Sequence, residues 1–200
     1  MNDTPNAGPS PVVDDTEAPE ALARLVSGRL AAAIGADADV QAGQRDKLLQ
    51  LVHIHFLPYT WTMRTTMLTM GRHWRAASFR HREMIVDAYR DIMLYTYAEA
   101  MAQAKHGGVR VEPASIDEYG AIVRTHVDTA AGASVALDYR LAPTEAGCRI
   151  YDLKMEDQWF IHSHQQSFQA AAMQGGCDGL YAMLEAKRAA LAARLGFGVR

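Results

Sequence analysis

Hydrophobic residues recur at helical spacing through the first half of the chain. Leu22, Val26 and Leu30 form the first apolar stripe, and similar stripes follow it. Thr60 and Ser78 are residue types that cap helix starts, and each precedes one of these stripes. The spacing therefore predicts helices at residues 20–34, 40–56, 60–71 and 78–105.

After residue 108 the spacing changes, so that every second residue is apolar. The alternation predicts strands at residues 109–111, 123–127, 135–141, 151–155 and 158–163. Helical spacing returns near Gln165, and Asp178 is expected to cap a last helix. Helices followed by a sheet and then helices predict an α+β fold, with helices wrapped on one face of an antiparallel meander. The opposite face would carry Arg124, Asp128, Asp138 and Arg140.

The fourth predicted helix is apolar over most of its circumference, whereas a surface helix shows a single stripe. Two interpretations follow from this pattern. Either the helix is a central core helix, buried on several sides, or it lines an internal cavity that holds an apolar molecule. The pattern alone leaves both open.

Composition narrows the class of protein only moderately. The chain is 49% hydrophobic and 22% charged with a formal net charge of −3, which is typical of a globular protein and argues against a nucleic-acid partner. Basic residues are scattered, as from Arg64 to Arg82, which are followed by the acidic Glu83 and Asp87, and no polybasic block suggests a membrane-surface anchor. The first residues lack the pattern of a signal peptide. We expect a disordered leader at residues 1–19 and a single domain over residues 20–195.

The sequence contains no motif that points to catalysis or to a metal. His53 and His55 lie two apart on a predicted helix and cannot share an ion, whereas His162 and His164 would share a face of a predicted strand but have no third ligand beside them. Glycine-rich phosphate loops and nucleophile-elbow motifs are missing. No metal, cofactor or enzymatic activity is therefore expected. Cys148 and Cys177 could form a disulfide or remain separate thiols.

Short motifs follow one another in a fixed order between residues 57 and 187. They lie at residues 57–59, 70–75, 88–93, 95–97, 135–139, 150–153, 166–168 and 176–180. Their order and spacing resemble the periplasmic lipid-binding component of the Mla pathway, known as the MlaC-like or toluene-tolerance family. The resemblance implies acyl chains held between helices and an antiparallel sheet. It also implies a soluble periplasmic carrier that moves a phospholipid between an inner-membrane MCE-domain ABC transporter complex and an outer-membrane lipoprotein complex.

The chain departs from the family pattern at three places. Thr60 replaces an aspartate, Cys148 stands where tryptophan is common, and residues 156–159 read Glu-Asp-Gln-Trp in place of a Glu-Gly-Val-Ser turn. Loss of the glycine and gain of Trp159 are expected to change the turn and the pocket wall beside it. The ligand is therefore left open between a phospholipid and another membrane lipid, such as a hopanoid or sterol.

A carrier needs an apolar pocket that encloses nearly all of both acyl chains. A nuclear-transport-factor-like α+β enzyme or small-ligand binder, the alternative, would instead need convergent polar groups in its cavity. The inward faces of the predicted elements are mostly apolar, which favours the carrier. The predicted lipid-binding residues are Tyr89, Met93 and Tyr97 on the fourth helix and Val123, Val127, Val135, Leu137, Tyr139, Leu153 and Met155 on the sheet.

Overall fold

The structure is a computed structural model that describes residues 18–102, 108–129 and 132–197. Most of the predicted leader lies outside these residues, and its last position, Pro19, is the first residue of a helix. The helices are α1 (Pro19–Ala36), α2 (Ala38–Gln41), α3 (Arg45–His55), α4 (Thr62–Met70), α5 (His73–Ala76), α6 (Phe79–Met101) and α7 (Phe160–Leu195), with a 3-10 turn at Leu57–Tyr59.

A break divides the second predicted helix, so the prediction of one helix over residues 40–56 is wrong. Gly43 adopts a φ of 92°, which a continuing helix does not allow. The Asp37 side chain accepts hydrogen bonds from the backbone N–H groups of Asp39 and Val40 and begins α2. Helix α3 then starts at Arg45.

The two predicted helix caps, Thr60 and Ser78, have different outcomes. The Thr60 side chain donates to the Leu57 carbonyl and does not cap α4, because the chain at Thr60 instead pairs with Ile150 of the sheet. Ser78 does cap α6 by accepting from the His81 N–H at 3.2 Å. Helix α6 ends at Met101, and the rest of its predicted extent falls in residues 103–107, outside the described part of the chain. Helices α3, α4 and α7 pack around α6, which accounts for its apolar circumference.

The sheet is antiparallel and follows the predicted alternation. The strands are β1 (Val109–Val111), β2 (Ser115–Asp117), β3 (Gly120–Asp128), β4 (Ser134–Thr144), β5 (Gly147–Met155) and β6 (Gln158–Trp159). The strand order of the sheet is β1-β3-β4-β5-β6, with β2 pairing separately with β3. Strand β3 pairs with β4 in the register Val123 with Tyr139 and Thr125 with Leu137, and β4 pairs with β5 through Tyr139 and Leu153. The α+β prediction is confirmed.

The predicted strand over residues 158–163 is wrong beyond its first two residues. Helix α7 begins at Phe160, because the buried carboxylate of Asp152 accepts a hydrogen bond from the Ile161 N–H at 3.0 Å and so satisfies its first turn. Within α7, Gly176 has non-helical dihedral angles (φ 61°, ψ −150°), so two helical segments meet in a kink there, two residues before the predicted start of the last helix at Asp178.

The main hydrophobic core fills the space between the helices and one face of the sheet. Helix α1 packs on β1 and β3, while α4 and α7 pack on β5. A smaller apolar cluster, made of Ala142, Tyr151 and Ile161 with Trp61 beside it, lies apart from this core. We call the core-facing side of the sheet its inner face and the opposite side its outer face.

Candidate functional site

The centre of the inner face of the sheet is mostly apolar and is covered by helices. Strand alternation places Val123 and Val127 of β3, Leu137 and Tyr139 of β4, and Leu153 of β5 on this face. Each of them is at most 1% exposed. These five predicted residues therefore come together in one buried layer.

Helix α6 contributes the predicted residues Tyr89, Met93 and Tyr97, which are spaced four apart and share one side of the helix. All three are buried. The Tyr97 ring stacks on Phe56 of the segment that follows α3, with ring centroids 3.9 Å apart. Tyr89 stacks on Phe160 at the start of α7 at 5.0 Å. Aromatic side chains thus connect α6 to the segment after α3 and to the start of α7.

A chain of hydroxyl groups crosses this interface from helix to sheet to helix. Ser27 of α1 and Tyr139 share a hydrogen bond of 2.8 Å, and Tyr139 shares another of 2.8 Å with Tyr97. Thr125, also on the inner face, donates to the Leu137 carbonyl. Burial raises the pKa of Tyr97 and of Tyr139, so both hydroxyls keep their protons. These interior hydroxyls therefore form hydrogen bonds with one another or with the backbone.

The other two predicted residues, Val135 and Met155, lie at the edge of the interface and are only partly buried. Both line a half-open groove of about 760 Å³ that runs between the ends of β4 and β5 and the helices α6 and α7. Phe160, which forms part of the groove wall, also stacks on buried Tyr89. The groove therefore meets the apolar interior at its floor.

Charged side chains line the rest of the groove, and most of them are paired. The Lys154 ammonium lies 3.1 Å from Asp157 and 3.8 Å from the buried Asp138 carboxylate. Arg124 also pairs with Asp138, at 3.2 Å. Glu99 accepts two hydrogen bonds from Arg194. The groove thus has an apolar floor and a polar rim in which the charges largely compensate each other.

Sequence reasoning missed the contribution of α7 to this groove, because it placed these residues on a strand. Phe160 and His164 point to one side of α7, one turn apart. Burial lowers the pKa of His164 to about 4, so the imidazole is neutral, and its Nδ1 lies 2.8 Å from the Phe160 carbonyl. The only sequence signal for this arrangement was the i, i+4 spacing of Phe160, His164 and Phe168, which is typical of a helix.

The histidines and cysteines can now be placed. His162 and His164 lie two apart on a helix, so the prediction that they share a face is wrong. Across the described ranges, no three His, Cys, Asp or Glu side chains are grouped as a metal site requires. Cys148 and Cys177 form no disulfide.

The turn between β5 and β6 is where the chain departs most from the family pattern. Glu156 and Asp157 both adopt positive φ angles, 48° and 60°; aspartate tolerates this conformation better than most residues, whereas it is unusual for a glutamate. Trp159 pairs with Lys154 and turns its ring to the outer face, where the Arg140 guanidinium lies 4.4 Å from the ring centroid. The expected change in the turn is thus accommodated without placing the tryptophan on the inner face.

Helices closed over the apolar face of an antiparallel sheet, with a groove at one end of the interface, define an α+β protein with a packed apolar interior. The family model described as MlaC protein matches residues 25–186, and the chain therefore belongs to the MlaC family. Among solved structures, it is similar to the phospholipid-binding protein from Ralstonia solanacearum in complex with a phospholipid. The identity is 30%, the match covers 86% of this chain and 98% of that one, and the TM-score is 0.77. A search of curated proteins gives no significant match. Among the described residues, no helix is long and apolar enough to cross a membrane.

Proposed function

We propose that this protein binds a phospholipid and carries it between membranes. The observation that supports this most is the relative from Ralstonia solanacearum, which was solved in complex with a phospholipid and is matched over 98% of its length. At 30% identity and a TM-score of 0.77, the two proteins have the same arrangement of helices on a sheet. The apolar inner face of this chain is the surface on which acyl chains would lie.

The physical requirement for a carrier is enclosure of the acyl chains. Two chains hold roughly thirty methylenes, and each is worth about 0.8 kcal/mol on transfer out of water. The helix–sheet interface is the largest apolar region of the protein, but side chains fill it in the present structure. Lipid entry therefore requires the helices and the sheet to separate. We take the groove beside Val135 and Met155 as the mouth through which the lipid enters the interior. Its floor is continuous with the interior, and its rim offers polar groups to a head group.

The finer parts of the proposal rest on membership of the MlaC family. We infer a periplasmic location and transfer between an inner-membrane MCE-domain ABC transporter complex and an outer-membrane lipoprotein complex. We favour a phospholipid over a hopanoid or sterol, because the Ralstonia relative holds a phospholipid and because Trp159 of the altered turn lies on the outer face, away from the proposed acyl-chain surface.

We further propose that the protein binds its lipid without catalysing a reaction and without a cofactor. An enzyme of the nuclear-transport-factor type needs polar groups that converge on a bound substrate. In this protein the interior hydroxyls of Ser27, Tyr97 and Tyr139 are committed to one another. His164, which borders the groove, is held neutral by burial.

Native mass spectrometry and lipid extraction of the purified protein test the proposal. We expect one phospholipid per chain, either co-purified or taken up from phospholipid vesicles. Extraction of a hopanoid or sterol instead would correct the ligand, and a chain that takes up no lipid under either condition would refute the carrier function.

A bulky substitution in the groove tests the proposed mouth. Ala100 lines the groove on α6, and Ala100→Trp should reduce lipid uptake severalfold by filling it. Ala170→Trp is the matched control, because Ala170 is exposed on α7 and is not part of the groove lining. If both variants take up lipid like the wild type, the mouth lies elsewhere.

A further inference from the structure

We propose that a surface at the far end of α6 from the groove binds anionic lipid bilayers and holds the protein at a membrane. This surface, the arginine corner, consists of the end of α4, helix α5 and the first turn of α6. Its exposed members are Met67, Leu68, Arg72, Arg75, Phe79 and Arg80. The proposal concerns attachment to the bilayer and is independent of whether the interior holds a lipid.

The corner is basic although the protein as a whole is acidic. Residues 47–82 contain no aspartate or glutamate, while the whole chain has a formal net charge of −3. Arg72, Arg75 and Arg80 are exposed, and none of them forms an ion pair with another described residue. Two acidic groups lie beside this end of α6: Asp178 of α7, at 3.0 Å from His81, and Glu83 on the next turn. The arginines are therefore free to meet anions from outside.

Contacts within the chain bring these arginines together although they are spread out in the sequence. The Arg82 guanidinium donates to the backbone carbonyls of Trp74 and Arg75, at 3.2 and 3.4 Å. It also lies 5.0 Å from the Trp74 ring centroid. These contacts hold α5 against the start of α6, so the arginines of the two elements lie on one surface.

Arg80 lies at the N-terminus of α6, where a positive charge is electrostatically unfavourable. The first turn of α6 holds no acidic residue, although a helix N-terminus favours negative charge. Arg80 and Arg82 therefore add to the positive potential of the helix end. External phosphate groups would supply the negative charge that the sequence omits at this end.

The apolar members of the corner favour a bilayer over an acidic protein as the partner. Phe79 is 75% exposed, and Met67 and Leu68 are more than one third exposed. Cationic side chains attract anionic head groups, and an aromatic or aliphatic side chain beside them enters the boundary between head groups and acyl chains. Arg80 lies twenty residues from Ala100 of the groove, or about 30 Å along the helix, so attachment leaves the groove uncovered.

Vesicle sedimentation tests the proposal on the full chain. We expect binding to vesicles of phosphatidylcholine mixed with phosphatidylglycerol, weaker binding at high salt, and little binding to phosphatidylcholine alone. Arg72→Gln, Arg75→Gln and Arg80→Gln together should lower the partition coefficient at least about tenfold, since each cation near an anionic surface contributes substantially. The control triple, Arg24→Gln, Arg45→Gln and Arg110→Gln, removes the same charge from exposed positions on α1, α3 and β1.

A second pair of variants separates the apolar contribution from net charge. Phe79→Ser should weaken binding severalfold, whereas Ile116→Ser, which removes an equally exposed side chain from β2, should not. No binding to anionic vesicles at low salt would overturn the proposal, and so would an equal loss in both arginine triples. Lipid content measured on the same samples should be unchanged, because no residue of the corner lines the groove.

Discussion

Strand β4 presents two different environments on its two faces. Leu137 and Tyr139 point to the inner face and are wholly buried beneath helices. Asp138 and Arg140, which alternate with them, point to the outer face and pair with Arg124 and Asp117. Packing against side chains of the helices thus stabilises the inner face of β4, whereas ion pairs with neighbouring strands stabilise its outer face. The stability of the fold should depend mainly on the first arrangement.

The largest expected effect tests the packing of the inner face. Leu137→Ala removes buried methyl groups from a filled interior and should lower the free energy of unfolding by about 2–5 kcal/mol. Ala136→Ser, at the adjacent exposed position of β4, should change it by less than about 0.5 kcal/mol. Urea unfolding of delipidated protein measures both. A loss below about 1 kcal/mol for Leu137→Ala would show that the interior is loosely filled.

A second test concerns the buried acid on the outer face. Burial raises the pKa of Asp152 to about 6, against about 3.9 in an unfolded chain. Between these values the folded protein holds the proton more tightly, so stability should fall as pH rises from about 4 to 6. Asp152→Asn keeps the oxygen that accepts from Ile161 and removes the titration. The difference in unfolding free energy between wild type and variant should therefore change by about 3 kcal/mol across this window. Parallel pH profiles would contradict the shifted pKa.

The smallest effect should come from the exposed charges. Arg124 is half exposed, and its partner Asp138 keeps Lys154 at 3.8 Å when Arg124 is removed. Arg124→Gln should therefore cost no more than about 1 kcal/mol, and the cost should shrink further at high salt. If the variant lost as much stability as Leu137→Ala, the contrast between the two faces would be wrong.

The alternation of the sheet was predictable because each strand has one covered and one charged face. The apolar circumference of α6 left a core helix and a cavity wall as alternatives, and the packing of α3, α4 and α7 around α6 corresponds to the first. Features that depend on distant contacts were not predictable. Residues 158–164 fit a strand as well as a helix, and the choice is made by Asp152 on another element, whose carboxylate accepts from Ile161. Thr60 fails as a cap because Ile150 engages the backbone beside it.

The same limit applies to the candidate site. The ten residues predicted to touch lipid were chosen by face, and eight of them lie together in the interior because faces follow from periodicity. Val135 and Met155 lie at the edge of the interior, because β4 extends beyond the end of β5. This offset depends on the register between the two strands. The α7 side of the groove, including His164, was missed because its secondary structure was assigned wrongly.

If the protein carries a lipid as proposed, the hydroxyl chain through Ser27, Tyr139 and Tyr97 has a consequence for the empty molecule. A protein whose ligand chamber closes on its own side chains exposes no large apolar cavity to water when unloaded. Loading then exchanges one buried apolar environment for another, so the net free energy is a small difference between two large and similar terms. Cargo held on such terms is reversibly bound, and a recipient needs only a modest advantage in affinity to take it.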